Sequence, residues 1–156
     1  MVNQKGDRVY RYTRDRLADH RRKGHRVIVI SGSPVEIVSE MAKKYEIDDY
    51  VGSTYVMNDD HRYTGEVMPM WDSADKERAM RDFTEKYSID LRDSFAYGDT
   101  SGDFSMFTLV GHPVCVNPTK ELLNKIMGDE VKDRMRIIVE RKDVIYSIDP
   151  RNLEFQ

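Results

Sequence analysis

Apolar and polar positions along the chain alternate between two periods. VIVI at 27–30 is four β-branched residues without polar interruption, the pattern of a strand buried on both faces of a parallel sheet. Residues 51–56 and 63–67 read as two further strands. The turn-rich Asn58, Asp59, Asp60 and His61 between them predict a hairpin. Short apolar runs at 94–97 and 113–116 predict two more strands. Helical periodicity fills the gaps, at 13–23 with Gly24 as its stop, from Pro34 to about Tyr45, and at 74–87 with Met80, Phe83 and Tyr87 on one face. A short helix follows to about Phe107, and another runs over 119–127. Ser33 fits an N-cap, with Pro34 at the first helical position and Glu36 closing a capping box. Strands alternating with helices of this length predict an α/β fold, a parallel sheet covered by helices on both faces. Ligands in such folds bind in the crevice at the carboxyl ends of the strands.

Three loops at or near those ends carry chemistry. After the first strand, Ser31-Gly32-Ser33 offers a hydroxyl, a glycine and the free N–H groups of a helix start, a combination that favours an anion. Lys76 falls in the first turn of its helix, where the macrodipole disfavours a cation by about 0.3–1 kcal/mol. It is either compensated on the surface by Asp72 and Asp75 or kept as a charge for phosphate oxygens. In AYGDTSGDF, at 96–104, Asp99 stands at a strand end and Asp103 in the following helical turn. Carboxylates suit Mg²⁺, which takes one or two of them and completes its shell with water and phosphate. For Asp103, a capping box with Thr100 is the competing role. In one parallel sheet, Ser31 and Asp99 would be neighbours on the same edge.

These motifs resemble the haloacid dehalogenase (HAD) superfamily, most closely its phosphoserine-phosphatase-like branch. VIVISGSP carries the serine motif, ADKERAM the lysine motif and AYGDTSGDFSMF the acidic motif. YTGE, IDLRDSFAYGD and VGHPVCVNPTKEL are similar to that branch as well. The resemblance spans about residues 23–125, roughly two thirds of the chain. It implies a Rossmann-like fold and a Mg²⁺-dependent phosphomonoester hydrolase acting on a small phosphorylated metabolite. Ser31 and the Gly32 N–H would bind the phosphoryl group, Lys76 would neutralise charge, Asp99 would ligate Mg²⁺, and Asp103 would assist at the metal shell.

The nucleophile of that family lies in an Asp-x-Asp motif on the first strand, and no two aspartates in this sequence are separated by one residue. The chain is therefore expected to be truncated, missing its first, central strand and most of the helical cap, and to be inactive as it stands. Residues 1–22 would be a cap remnant, 23–127 the core and 128–156 a C-terminal extension of unassigned role. The missing strand would leave two open sheet edges. Marginal stability, a homo-oligomer or a complementing N-terminal segment is expected in consequence. The alternative is a non-catalytic Mg²⁺- and phosphate-binding or interaction module.

Composition narrows the partners. The 25 Lys and Arg are interleaved with 28 Asp and Glu among 156 residues, for a net charge of −3, which gives no footprint for nucleic acid or an anionic membrane. No apolar run reaches membrane-spanning length and the N-terminus lacks a signal-peptide core, so the chain reads as cytoplasmic. The single Cys115 reads as a small buried strand residue. Met57, Met68, Met70 and Trp71 flank the hairpin, and core packing is favoured for them over the lining of a substrate pocket.

Overall fold

The computed structural model describes residues 9–155 and divides into two compact units, Met1–Trp71 and Asp72–Gln156. The first unit runs α1 (Arg11–Arg22), β1 (Ile28–Pro34), α2 (Val35–Lys44), β2 (Asp49–Met57) and β3 (Tyr63–Met68). Its sheet has the order β1-β2-β3, with β1 parallel and β3 antiparallel to β2. α1 buries no residue and is held by charge pairs along its surface, among them Arg16 with Asp19 at 3.2 Å. It stops where expected, at Gly24, whose φ of +71° lies in the left-handed region that ends helices.

The turn between β1 and α2 departs from expectation. β1 is in register with β2 from Ile28 to Ile30 and again at Pro34 opposite Ser53, and the ladder is irregular in between. Pro34 therefore belongs to the strand, extended at φ −51° and ψ 135°, and is itself the N-cap of α2 without any side-chain capping bond. Ser33 does not cap the helix and the box with Glu36 does not form. The excursion passes close over Gly52 of β2, where a Cβ would lie 2.8 Å from the Ser33 carbonyl oxygen and 2.9 Å from Val35 Cα. Only glycine admits that approach.

The β2–β3 hairpin forms as predicted, its turn shaped by Asn58 Oδ1, which accepts from the N–H groups of Asp60 at 3.1 Å and Arg62 at 2.9 Å. Its apolar residues do not pack as expected. Met70 is buried, but Met57, Met68 and Trp71 are 43%, 61% and 56% exposed. The reason is that β3 is an edge strand with no residue fully buried.

The second unit contains α3 (Ser73–Tyr87), β4 (Phe95–Gly98), a 3₁₀ turn (Ser101–Asp103), α4 (Phe104–Leu109), β5 (His112–Val116), α5 (Lys120–Met127), β6 (Arg136–Arg141) and β7 (Val144–Ile148). The sheet order is β4-β5-β6-β7, parallel except for β7. Phe107, Leu122, Ile126, Val131, Ile137 and Cys115 form its fully buried core. Arg134 fastens the end of α4, donating to the carbonyls of Val110 at 3.1 Å and Thr108 at 2.8 Å. Residues 128–156, without an assigned role from the sequence, supply β6 and β7, so β6 lies inside the sheet.

The mixed α/β architecture with parallel strands is the expected one, with a difference. β1 and β4 belong to separate sheets; among the described residues β1 pairs only with β2, and β4 only with β5. The central strand that the family resemblance implies is not among the described residues. No helix among those residues is long and apolar enough to cross a membrane.

Candidate active site

α3 begins with Asp72, whose carboxylate accepts from the Asp75 N–H at 2.8 Å. One residue further on, Lys76 turns inward and is only 7% exposed. Its ammonium forms an ion pair with Asp103 Oδ1, and Asp103 is itself only 5% exposed. Asp75 pairs instead with Arg78. Surface compensation by Asp72 and Asp75 is thereby set aside: a cation at an unfavourable helix end is kept by a buried carboxylate from another element.

Asp103 fixes the loop on its other side as well. Its Oδ2 accepts from the N–H of Asp99 at 2.9 Å, the N–H of Thr100 at 3.0 Å and Thr100 Oγ1 at 3.2 Å. The capping box with Thr100 is complete. Gly98 makes room for this arrangement, because a Cβ there would lie 2.5 Å from Asp103 Cβ and 2.6 Å from its Cγ and Oδ2. The loop is tied down further by two serines that sequence reasoning did not single out. Ser73 Oγ donates to the Ser101 carbonyl at 3.2 Å, and Ser105 Oγ to the Ser73 carbonyl at 2.7 Å. The signal for them was their helix-terminal position, where hydroxyls seek backbone partners.

Asp99 stands at the end of β4, and its carboxylate is paired with no cation among the described residues. Partial burial, then the neighbouring Asp103 charge, push its carboxyl above the usual carboxylate range, and Lys76 partly offsets them. Two carboxylates, one just past β4 and one in the turn that follows, share a single cation, which is paired with Asp103, and this leaves a deficit of positive charge. Among the described residues no cluster of three or more His, Cys, Asp or Glu is placed to hold a metal. As a carboxylate without a cation partner among the described residues, Asp99 is a donor of the kind that a hard cation takes one or two of. Asp103, with Lys76 on one oxygen and three donors on the other, acts as the brace behind it. Cys115, buried in β5, has its thiol pushed up to about 12, by burial first and then by Asp103 and Asp99, which removes it from consideration as a nucleophile.

The structure thus brings Lys76, Asp99 and Asp103 together in the second unit. Ser31 and Gly32 lie in the first. There the N–H of Ser33 donates to Ser31 Oγ at 3.2 Å, leaving the hydroxyl proton of Ser31 to donate elsewhere. The Gly32 carbonyl accepts from Ser53 Oγ at 3.0 Å and from Trp71 Nε1 at 3.2 Å. Ser53 is fully buried and also accepts from the Met70 N–H at 3.1 Å, so the serine turn is held from β2 and from the segment after β3.

Residues 2–108 match the haloacid dehalogenase-like hydrolase family. The chain belongs to that family. Its curated relatives include the inhibition of morphological differentiation protein of Streptomyces azureus, 30% identical over 77% of this chain and 43% of that protein. A probable phosphatase of Mycobacterium tuberculosis is 32% identical over 73% of this chain and 39% of its own. Phosphoserine phosphatase SerB1 of the same organism is 27% identical over 81% and 42%. The chain thus spans about two fifths of the length of these relatives. A phospho-aspartyl intermediate analogue of phosphoserine phosphatase has the same fold, with a TM-score of 0.65 at 22% identity over 83% of this chain and 58% of that one. Phosphoserine phosphatase in apo form gives 0.63 at 23% over 72% and 56%.

Proposed function

We propose that this chain carries the phosphate- and Mg²⁺-binding part of a haloacid dehalogenase-type phosphomonoesterase acting on a small phosphorylated metabolite. We further propose that these 156 residues bind without turning over. The observation that carries the first part is the buried Lys76–Asp103 pair fastened behind Asp99. A protein gains little stability from burying a lysine and an aspartate, since desolvation offsets most of their attraction. Holding a cation and a carboxylate in fixed positions at a strand end suits phosphoryl chemistry, which depends on positioning and charge neutralisation.

In this reading the Ser31 hydroxyl and the Gly32 N–H of the first unit are donors for phosphoryl oxygens, and the Lys76 ammonium of the second unit is a charge suited to offset an anion. Asp99 would hold Mg²⁺ with Asp103 bracing its loop; when bound, Mg²⁺ supplies charge neutralisation at the phosphoryl oxygens. The second part rests on the absence of any Asp-x-Asp pair among the 156 residues, which leaves these groups no partner to form an aspartyl-phosphate.

Calorimetric titration of the full chain with MgCl₂ and inorganic phosphate, beside an assay of p-nitrophenyl phosphate hydrolysis, tests both parts. Millimolar binding of Mg²⁺ and phosphate, lost in Asp99→Asn, with no release above background, is the expected result. A folded wild-type chain that binds neither overturns the binding reading. Mg²⁺-dependent release abolished by Asp99→Asn overturns the non-catalytic part.

A further inference from the structure

Trp71, the chain's one tryptophan, is fastened at its polar edge and bare over more than half of its surface. Its Nε1 donates to the Gly32 carbonyl at 3.2 Å, and a Cβ on Gly32 would lie 3.2 Å from Trp71 Cδ1. The pyrrole edge of the indole thus rests on the glycine of the serine turn, and the residue as a whole is 56% exposed. Its position is over-determined. Ser53, without solvent exposure, donates to the same Gly32 carbonyl and accepts from the N–H of Met70, the residue just before the tryptophan. Met70 is itself buried and anchors the backbone there.

An indole whose N–H is already satisfied loses nothing by burying its rings, and indoles normally bury most of their area. One held open beside the turn that offers phosphate donors calls for an occupant of its own shape. Resting on the phosphate-binding reading of Ser31 and Gly32, we propose that Trp71 is a specificity-determining residue, a stacking platform for the alcohol part of the ester. The substrate class is then a phosphomonoester whose alcohol carries a planar aromatic ring. The ring stacks offset on the indole while the phosphoryl group accepts from Ser31 and the Gly32 N–H. Gly32 serves both halves: it gives its N–H to the anion, and its missing side chain lets the indole approach.

The lone tryptophan is also the reporter. Phenyl phosphate and ethyl phosphate are titrated into the Mg²⁺-saturated full chain, followed by Trp71 fluorescence and by calorimetry. Phenyl phosphate should perturb the emission and bind roughly five- to tenfold more tightly than ethyl phosphate, the ratio that offset aromatic stacking supports. In Trp71→Ala the calorimetric ratio should fall to near one, and Trp71→Phe should restore most of it. Equal affinities in the wild type, or a ratio that survives Trp71→Ala, overturns the platform and leaves the phosphate reading standing. Failure of the folded wild type to bind either ester overturns both.

Discussion

Lys76→Met separates a buried, positioned charge pair from an ordinary surface contact. Both partners are buried, and methionine matches the lysine stem in length, so the substitution removes the charge with little change in volume. Breaking a buried ion pair by deleting one partner costs about 3–5 kcal/mol, because the other charge is left uncompensated. The value here should sit at the low end, about 3 kcal/mol or a hundredfold in the folding equilibrium. The orphaned Asp103 keeps its three Oδ2 donors, at 2.9, 3.0 and 3.2 Å, to carry the charge. Asp103→Asn should cost at least as much, since it strands the ammonium of Lys76, which has no other ion pair among the described residues. The double variant removes both charges and should cost little more than either single variant, giving a coupling energy of about 2–3 kcal/mol. Urea denaturation followed by far-UV circular dichroism, at low salt and in 1 M NaCl, measures the cycle. A single-variant cost under about 1 kcal/mol, or a coupling that collapses in high salt, would mean a solvent-screened pair and refute the reasoning.

Further outcomes concern Gly98, with Gly128 as its control, and Cys115. Gly98→Ala puts a Cβ 2.5–2.6 Å from the Asp103 side chain. It should therefore lower stability by about 3 kcal/mol through displacement of the brace, and abolish Mg²⁺ binding in the same titration. Gly128→Ala, where the nearest atom would be 3.5 Å away, is the matched control and should change little. With its thiol pushed up to about 12 from an ordinary 9.0, Cys115 should be about 10⁻⁴ thiolate at pH 8 and resist iodoacetamide in the folded chain. The folded state keeps that proton while the unfolded state loses it, so this thiol's contribution to stability is full below pH 9 and is lost as pH rises toward 12. Rapid stoichiometric alkylation at pH 8, followed by mass spectrometry, would contradict the burial.

What the sequence disclosed about the site and what it hid have a common physical cause. Lys76 was legible because it breaks a local rule, a cation in a first helical turn, and the structure supplies the missing reason in Asp103. The Thr100–Asp103 box was legible because its spacing is local, and Cys115 because an unbroken apolar run implies two covered faces. Ser33 misled because its residue type fits a cap, but the helix start was set by Pro34 pairing with Ser53, nineteen residues on in the sequence. The division of the strands into two sheets, the place of β6 inside one of them and the exposure of Met57, Met68 and Trp71 all depend on which strand lies next to which. No local pattern encodes that. A residue whose identity contradicts its own helix or strand can be noticed from the chain alone. A residue such as Trp71, apolar beside a hairpin, offers no contradiction until the structure shows its rings uncovered beside Gly32. The groups that act on charge were therefore found first, and the group that would choose the substrate emerged only from the fold.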